Sequence, residues 1–172
     1  MQIIVRPERG KDFPAIKTVN NLAFGQENEG NLVEKLRKTQ DYVPGLSLVA
    51  EIENEIVGYI LFYPIQIAAE DAAFPSLALA PLAVLPAYQH RGIGKQLVKT
   101  GLIRAKQLGY PSVIVLGHPL YYPQFGFDRA SKWNIRCPFE VPDASFFAIA
   151  LKKDGLAKVH GTVAYPKAFY EV

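Results

Sequence analysis

One stretch of fourteen residues, Leu82–Lys95, restricts the fold of this chain more than any other part of it. An apolar run ends at Pro86, and a short polar turn follows. Gly92 and Gly94 then open a segment whose apolar residues recur with helical spacing to about Leu108. The sequence therefore predicts a strand, a tight turn and a helix N-terminus in direct succession.

The predicted turn has the features of an anion-binding site. The first turn of a helix leaves backbone N–H groups unpaired, and the helix dipole adds partial positive charge there. Gly92 and Gly94 lack the Cβ atoms that would hold a phosphate away from the backbone. Arg91 and Lys95 add positive charge, and His90 offers another donor. The turn is therefore predicted to bind phosphate oxygens.

The spacing of the turn differs from the two commonest phosphate loops. A Walker loop has Ser or Thr after its lysine, where this chain has Gln96, and a dinucleotide loop has a third glycine, where it has Leu97. The pattern present is Gln-x-x-Gly-x-Gly, formed by Gln89, Gly92 and Gly94 after a strand that ends in Val-x-Pro. This pattern resembles the acyl-CoA pyrophosphate loop of the GNAT N-acetyltransferase family, here in a small bacterial branch.

The resemblance implies an α/β (α+β) fold. Its central sheet would be mixed and mostly antiparallel, with splayed parallel central strands and flanking helices, in a single GNAT acetyltransferase domain over residues 1–172. It implies that acetyl-CoA is the cosubstrate and that the acetyl group passes to an amine of a small molecule or peptide. The residues implied to contact CoA are Leu82, Ala83 and Val84 along the pantetheine arm and Gln89, His90, Arg91, Gly92, Ile93, Gly94 and Lys95 at the pyrophosphate. A non-catalytic acyl-CoA-binding sensor of the same fold is the alternative.

Pro81 makes the strand Leu77–Leu85 irregular. Proline has no N–H for a ladder hydrogen bond, so the strand must be an edge, bulged or splayed at that point. A splayed strand leaves backbone groups free to pair with an amide-bearing ligand. We expect a loop at Asp71–Pro75 before this strand and a parallel strand at Ser112–Leu116 after the helix.

Periodicity also places elements outside this central region. A first helix is expected between Asp12, its cap, and Gly25, and a second helix after Asn31. The strand Ile56–Tyr63 is predicted to bend or end at Pro64, and its continuation over residues 65–67 stays open. Phe146–Leu151 is predicted to pair with the strand that precedes His118.

A second informative segment, Gly117–Phe127, follows the Ser112–Leu116 strand. Tyr122 stands four residues before Gly126, a spacing that resembles the GNAT tyrosine that donates a proton to the CoA thiolate. An ordinary phenol, with a pKa of about 10, is protonated at neutral pH and can act as a general acid. A packed aromatic with a locally bonded hydroxyl is the alternative for Tyr122, and Tyr121 is expected in the core or at its rim.

The general base is not evident from the sequence. No acidic residue lies between Ser76 and Leu85. His118 stands at the end of a strand and has a suitable ordinary pKa of about 6.5, although a histidine in that position often only bonds its loop. Glu27, Glu29 or a chain of water molecules remain alternatives.

Composition excludes several classes of function. A net charge of +3 without a basic run argues against nucleic-acid binding. The single cysteine, Cys137, excludes an internal disulfide and a cysteine-based zinc cluster, and three scattered histidines predict no metal site. Without a signal-peptide pattern or an apolar run of spanning length, a cytoplasmic protein without membrane contact is expected. The acceptor is not determined, and a homodimer stays open.

Overall fold

The computed structural model describes residues 2–172, which form three helices and nine strands. The helices are α1, Phe13–Phe24; α2, Asn28–Arg37; and α3, Ile93–Gln107. The strands are β1, Ile4–Pro7; β2, Ser47–Ile52; β3, Glu55–Ala68; β4, Ala73–Val84; β5, Ser112–Leu116; β6, Asp128–Arg129; β7, Ile135–Arg136; β8, Phe146–Ala150; and β9, Gly161–Ala164. Short 3-10 turns connect several of these elements.

The chain divides into two units, and β3, β4 and α3 each pass from one unit to the other. The first unit holds the residues up to Tyr63, Ala80–Arg104 and Lys167–Val172; the second holds Pro64–Leu79 and Ala105–Pro166. The prediction of a single domain over residues 1–172 stays a prediction.

In the first unit, β1 pairs antiparallel with β2, and β2 pairs antiparallel with β3. Alternate residues of β3 face opposite sides of the sheet. Tyr59 and Leu61 join a buried cluster with residues of α1 and α2. On the other side, Gly58 lies against Ile93 and Leu97 of α3, where a Cβ on the glycine would stand 3.1 and 3.0 Å from them. The helices therefore flank the sheet on both faces.

In the second unit, β4 and β5 form a parallel pair with Leu77 opposite Val113 and Ala78 opposite Ile114. This ladder lies ahead of Pro81, whose peptide bond to Ala80 is cis. β5 pairs antiparallel with β8, and β8 with β6. β9 pairs antiparallel with β3 and parallel with β7.

The predicted fold class is confirmed: the sheet is mixed and mostly antiparallel, with helices packed against it. The parallel pairing of β4 with β5 and the pairing of β8 with β5 are also confirmed, and the structure adds that the second pair is antiparallel. Two boundaries were wrong: α2 begins at Asn28, and β4 already begins at Ala73. Of the two alternatives for Pro64, the structure shows the continuation, because β3 runs through it to Ala68.

Within residues 2–172, no helix has the length and apolar character needed to cross a membrane. In the same part of the chain, no three His, Cys, Asp or Glu side chains are grouped closely enough to hold a metal ion. Cys137 is half-buried, and burial raises the pKa of its thiol. Its thiolate, the reactive form, is therefore less populated than in an exposed cysteine.

Candidate active site

The end of β4 is fixed from both sides. The N–H of Leu85 donates to the Val57 carbonyl oxygen at 2.9 Å, which ties the end of β4 to β3. The side chain of Ala83 is buried in the cluster under α1, and Leu82 and Val84 are half-buried. The carbonyl oxygen of Val84 accepts a hydrogen bond from Nε2 of Gln89 at 3.1 Å. Two of the residues predicted to bind CoA are therefore in direct contact.

A 3-10 turn, Pro86–Tyr88, leads from β4 into an exposed loop. His90 and Gly92 have positive φ angles of 63° and 83°. A Cβ on Gly92 would meet nothing within 4 Å, so the glycine serves the backbone conformation here rather than packing.

The loop presents unpaired backbone donors. Within residues 2–172, no hydrogen bond outside the helices and strands is donated by the backbone N–H of residues 90–95. The N–H of Gln96 is the first in this segment that donates to a backbone oxygen, that of Gly92, at 3.1 Å. Ile93 is 1% exposed and anchors the start of α3 in the core, so its contribution to a ligand would come from its backbone. The arrangement suits an anion with several oxygens.

Positive charge surrounds these donors. Arg91 lies over the ring of Tyr88, with its Cζ atom 5.3 Å from the ring centroid. The Tyr88 hydroxyl donates to Oε2 of Glu55 at 3.2 Å, and the charge of Glu55 is the main cause that raises the pKa of Tyr88. Lys95 is exposed in the first turn of α3, which contains no acidic residue. Arg91 and Lys95 therefore place two cationic side chains beside these donors.

Tyr122 lies in the second unit, at the start of a 3-10 turn that ends at Gly126. The residue is 7% exposed, and its ring packs edge-on against Tyr121 and Phe127 with centroid distances of 5.1 and 5.7 Å. Burial is the main cause that raises its pKa above the ordinary value of a phenol. In the part of the chain that the structure describes, its hydroxyl makes no hydrogen bond. Tyr122 is therefore a buried tyrosine with a protonated hydroxyl, and this hydroxyl donates no hydrogen bond to a neighbouring residue that the structure describes.

His118 is exposed in the same unit, and its Nδ1 atom accepts a hydrogen bond from the backbone N–H of Leu120 at 3.1 Å. A ring nitrogen that accepts is unprotonated, so the neutral ring carries its proton on Nε2. The lone pair that would act as a base is engaged in this contact. The geometry agrees with the loop-bonding alternative, and the catalytic role of His118 stays a prediction.

The other two candidate bases are at the start of α2 rather than in a loop. Glu27 stands at the N-cap position and Glu29 lies in the first helical turn. Nε2 of Gln26 donates to both carboxylate oxygens of Glu29, at 3.0 and 3.1 Å. Glu29 is thus engaged with a neighbouring amide.

Comparison with known proteins decides the family. A model of the acetyltransferase (GNAT) family matches residues 16–127, which include the loop and Tyr122. The chain belongs to the GNAT acetyltransferase family.

Similarity to individual GNAT proteins extends over most of the chain. The uncharacterized N-acetyltransferase YhbS of Escherichia coli K12 is 34% identical over 168 residues, which cover 97% of this chain and 98% of YhbS. The uncharacterized N-acetyltransferase YjhQ of the same organism is 38% identical over 133 residues, which cover 77% of this chain and 74% of YjhQ.

Two solved GNAT structures are similar in fold. The crystal structure of YhbS from Escherichia coli in complex with CoA superposes with a TM-score of 0.91 at 32% identity, covering 99% of this chain and 93% of that chain. A GNAT acetyltransferase from Brucella melitensis in complex with acetyl-CoA gives 0.78 at 32% identity, with 98% of both chains covered.

Two contacts of the candidate residues, one in each unit, were not found from the sequence. Glu55, the first residue of β3, accepts a hydrogen bond from the Tyr88 hydroxyl in the first unit, and Gly117 lies against the ring of Tyr122 in the second. The Glu55 contact joins residues 33 positions apart, and no local pattern reports it. For the second contact, the sequence offered one signal: Gly117 comes just after a strand, and Tyr121 and Tyr122 follow within five residues.

Proposed function

We propose that this protein is an acetyl-CoA-dependent N-acetyltransferase that moves the acetyl group to an amine of a small molecule or peptide by direct attack. The proposal is carried by the unpaired backbone N–H groups of residues 90–95, beside Arg91 and Lys95, because they suit the pyrophosphate of CoA. The CoA and acetyl-CoA bound in the two similar solved structures support the same cosubstrate here.

In the proposed reaction, the backbone of Leu82, Ala83 and Val84 pairs with the pantetheine arm, and an N–H near Val84 polarises the thioester carbonyl. The amine nitrogen attacks the carbonyl carbon and forms the C–N bond. The tetrahedral intermediate collapses with cleavage of the C–S bond. Tyr122 gives its phenolic proton to the departing sulfur, and a base takes the proton that the amine loses.

We propose His118 as that base, with Glu27, Glu29 and a water chain as alternatives. Because Nδ1 of His118 accepts from Leu120, the imidazole must release this contact before it can take a proton. His118→Gln, which keeps an acceptor near the Leu120 N–H, should remove the acidic limb of the pH profile of kcat/KM if His118 is the base. An unchanged pH profile would exclude His118 and favour the alternatives.

The proposal is tested by thiol release from acetyl-CoA with a panel of amines, aminoacyl compounds and peptides. We expect release that depends on one class of acceptor and that falls in Tyr122→Phe. Tyr121→Phe is the matched control, because Tyr121 is the half-buried neighbour of Tyr122 and carries no proposed role.

Calorimetry with CoA separates the proposal from its alternative. Binding of CoA without acceptor-dependent release across the panel would favour the acyl-CoA-binding sensor. Absence of CoA binding would refute the assignment of the loop at residues 89–95.

A cytoplasmic location and one catalytic domain over residues 1–172 complete the proposal. Cell fractionation tests the location.

A further inference from the structure

The ring of Tyr122 lies directly against the backbone of Gly117. A Cβ atom on Gly117 would stand 2.2 Å from Cε2 of Tyr122, 2.9 Å from Cδ2 and 3.2 Å from Cζ. Ordinary contact begins at 3.4 Å, so any other residue at position 117 would collide with the ring. Space, rather than a positive φ angle, is what requires glycine here.

Neither partner in this contact can move freely. The Tyr122 ring is surrounded by four aromatic rings whose centroids lie 5.1 to 6.4 Å away: Tyr121, Phe125, Phe127 and Phe147. The N–H of Gly117 donates to the Ser145 carbonyl oxygen at 2.8 Å, which fixes the backbone. A Cβ on Gly117 would therefore have to displace the tyrosine ring within a packed aromatic cluster.

We propose that Gly117 is a positioning residue for acetyl transfer: its missing Cβ sets the location of the Tyr122 phenol. This inference rests on the proposed function, in which Tyr122 protonates the CoA sulfur. Restoring ordinary contact would move the ring by about 1 Å, and a misplacement of that size can lower a rate about 10²-fold. Gly117 contacts neither substrate in this proposal and acts through the ring of Tyr122.

The test compares Gly117→Ala, Tyr122→Phe and the double variant, with Gly10→Ala as the matched control. A Cβ on Gly10 would meet nothing within 4 Å, so the control adds the same methyl group without a collision. The protein is labelled with ¹³Cζ-tyrosine, and Tyr122→Phe assigns one of the nine tyrosine resonances by its disappearance. The values of kcat and KM for acetyl-CoA are measured with the best amine of the panel.

We expect the Tyr122 resonance to move in Gly117→Ala and to stay in Gly10→Ala. In Gly117→Ala, kcat should fall about 10²-fold while KM for acetyl-CoA stays unchanged. The double variant should be no slower than Tyr122→Phe, because Gly117 has no effect once the phenolic proton is gone. Gly117→Ala alone could prevent folding. In that case it is combined with Tyr122→Leu, which removes the colliding ring, and this double variant should fold with a melting temperature close to that of the wild type.

Each adverse result addresses a different claim. An unmoved Tyr122 resonance, or a Tyr122→Leu combination that also fails to fold, would overturn the positioning role of Gly117 whether or not an acceptor is found. A moved resonance with normal kcat, in an enzyme that Tyr122→Phe impairs, would overturn it as well. An unaffected Tyr122→Phe enzyme would instead refute the proposed acid and remove the basis of the inference.

Discussion

At the scale of single residues, the hydroxyl of Tyr122 has the properties that a proton donor needs. The tyrosine is 7% exposed, its hydroxyl makes no hydrogen bond within residues 2–172, and burial raises its pKa. A raised pKa keeps the phenol protonated above the ordinary value of about 10. Its acid form is therefore available throughout the neutral and moderately alkaline range.

This property predicts the pH dependence of catalysis. The value of kcat should show no alkaline decline near pH 10, because Tyr122 still holds its proton there. In Tyr122→Phe, kcat should fall by about 10²-fold or more, the usual contribution of a general acid. Initial rates measured from pH 7 to 10.5 test this, and a decline centred near pH 10 that is absent in Tyr122→Phe would contradict it.

Gly92 gives a second residue-scale prediction. Its φ angle of 83° is unfavourable for residues with a Cβ atom, at a cost of about 1–2 kcal/mol. Gly92→Val should weaken CoA binding about 5- to 30-fold if this cost falls on the loop that holds the pyrophosphate. Gly92→Asn should retain more affinity, because asparagine tolerates this backbone conformation. Equal affinities of the two variants by calorimetry would refute the backbone explanation.

The ion pair of Arg6 and Asp12 gives a prediction about stability. Nη1 and Nη2 of Arg6 donate to the Asp12 carboxylate at 2.7 and 3.1 Å, and the Arg9 N–H donates to it at 2.8 Å. The pKa of Asp12 is lowered, mainly by Arg6. Because the folded-state pKa lies below the unfolded value, this stabilisation is present above the unfolded pKa and is lost as pH falls through the folded one.

Asp12→Asn should lower the free energy of unfolding at pH 7 by about 2 kcal/mol, less than for a fully buried pair because a cavity adjoins it. The difference from the wild type should shrink at strongly acidic pH, where Asp12 is protonated. Asp128→Asn is the control: its pair with Lys132 is exposed and screened by solvent, so a smaller change than in Asp12→Asn is expected. The free energy of unfolding is measured with urea at pH 7, and equal values for the wild type and Asp12→Asn would contradict the prediction.

At the scale of elements, the packing of α3 determines how the loop is presented. Gly101 of α3 lies against the fully buried Phe62 of β3, and a Cβ there would stand 2.1 Å from Cε2 of the ring. Gly101→Ala should therefore destabilise the protein by about 1–3 kcal/mol through overpacking. Urea unfolding measures this change, with Gly10→Ala as control. A stability equal to that of Gly10→Ala would show that α3 can shift without cost.

The elements that the sequence predicted well are those with local signals. Gly25 ends α1 in a left-handed conformation, and α3 follows Gly92 as its apolar spacing indicated. Whether β3 continues past Pro64 could not be decided from the sequence, because the continuation pairs with β9, about a hundred residues later in the chain. The contacts of Tyr88 with Glu55 and of Tyr122 with Gly117 depend on where rings lie in the folded protein, which periodicity does not report.

At the scale of the whole molecule, binding should stabilise the fold. A ligand that binds only the folded state adds about 2.7 kcal/mol at a hundred times its Kd. CoA should therefore raise the melting temperature. Because the charged side chains of Arg91 and Lys95 are exposed, screening by 0.5 M NaCl should weaken this effect. Pantetheine, which lacks the phosphates, is the control, and an equal salt dependence for both ligands by thermal shift would contradict a phosphate site.

The contact between Gln89 and Val84 has a consequence for product release. Nε2 of Gln89 donates to the Val84 carbonyl oxygen at 3.1 Å, so this end of β4 is already satisfied in the free protein. Under the proposed binding mode, an amide of the pantetheine arm that pairs with this oxygen replaces the glutamine, and the number of hydrogen bonds stays the same. The reverse exchange accompanies departure of CoA. The side chain of Gln89 thus competes with the pantetheine amide for the Val84 carbonyl oxygen. Because it restores this hydrogen bond when CoA leaves, it lowers the free energy needed for CoA to dissociate.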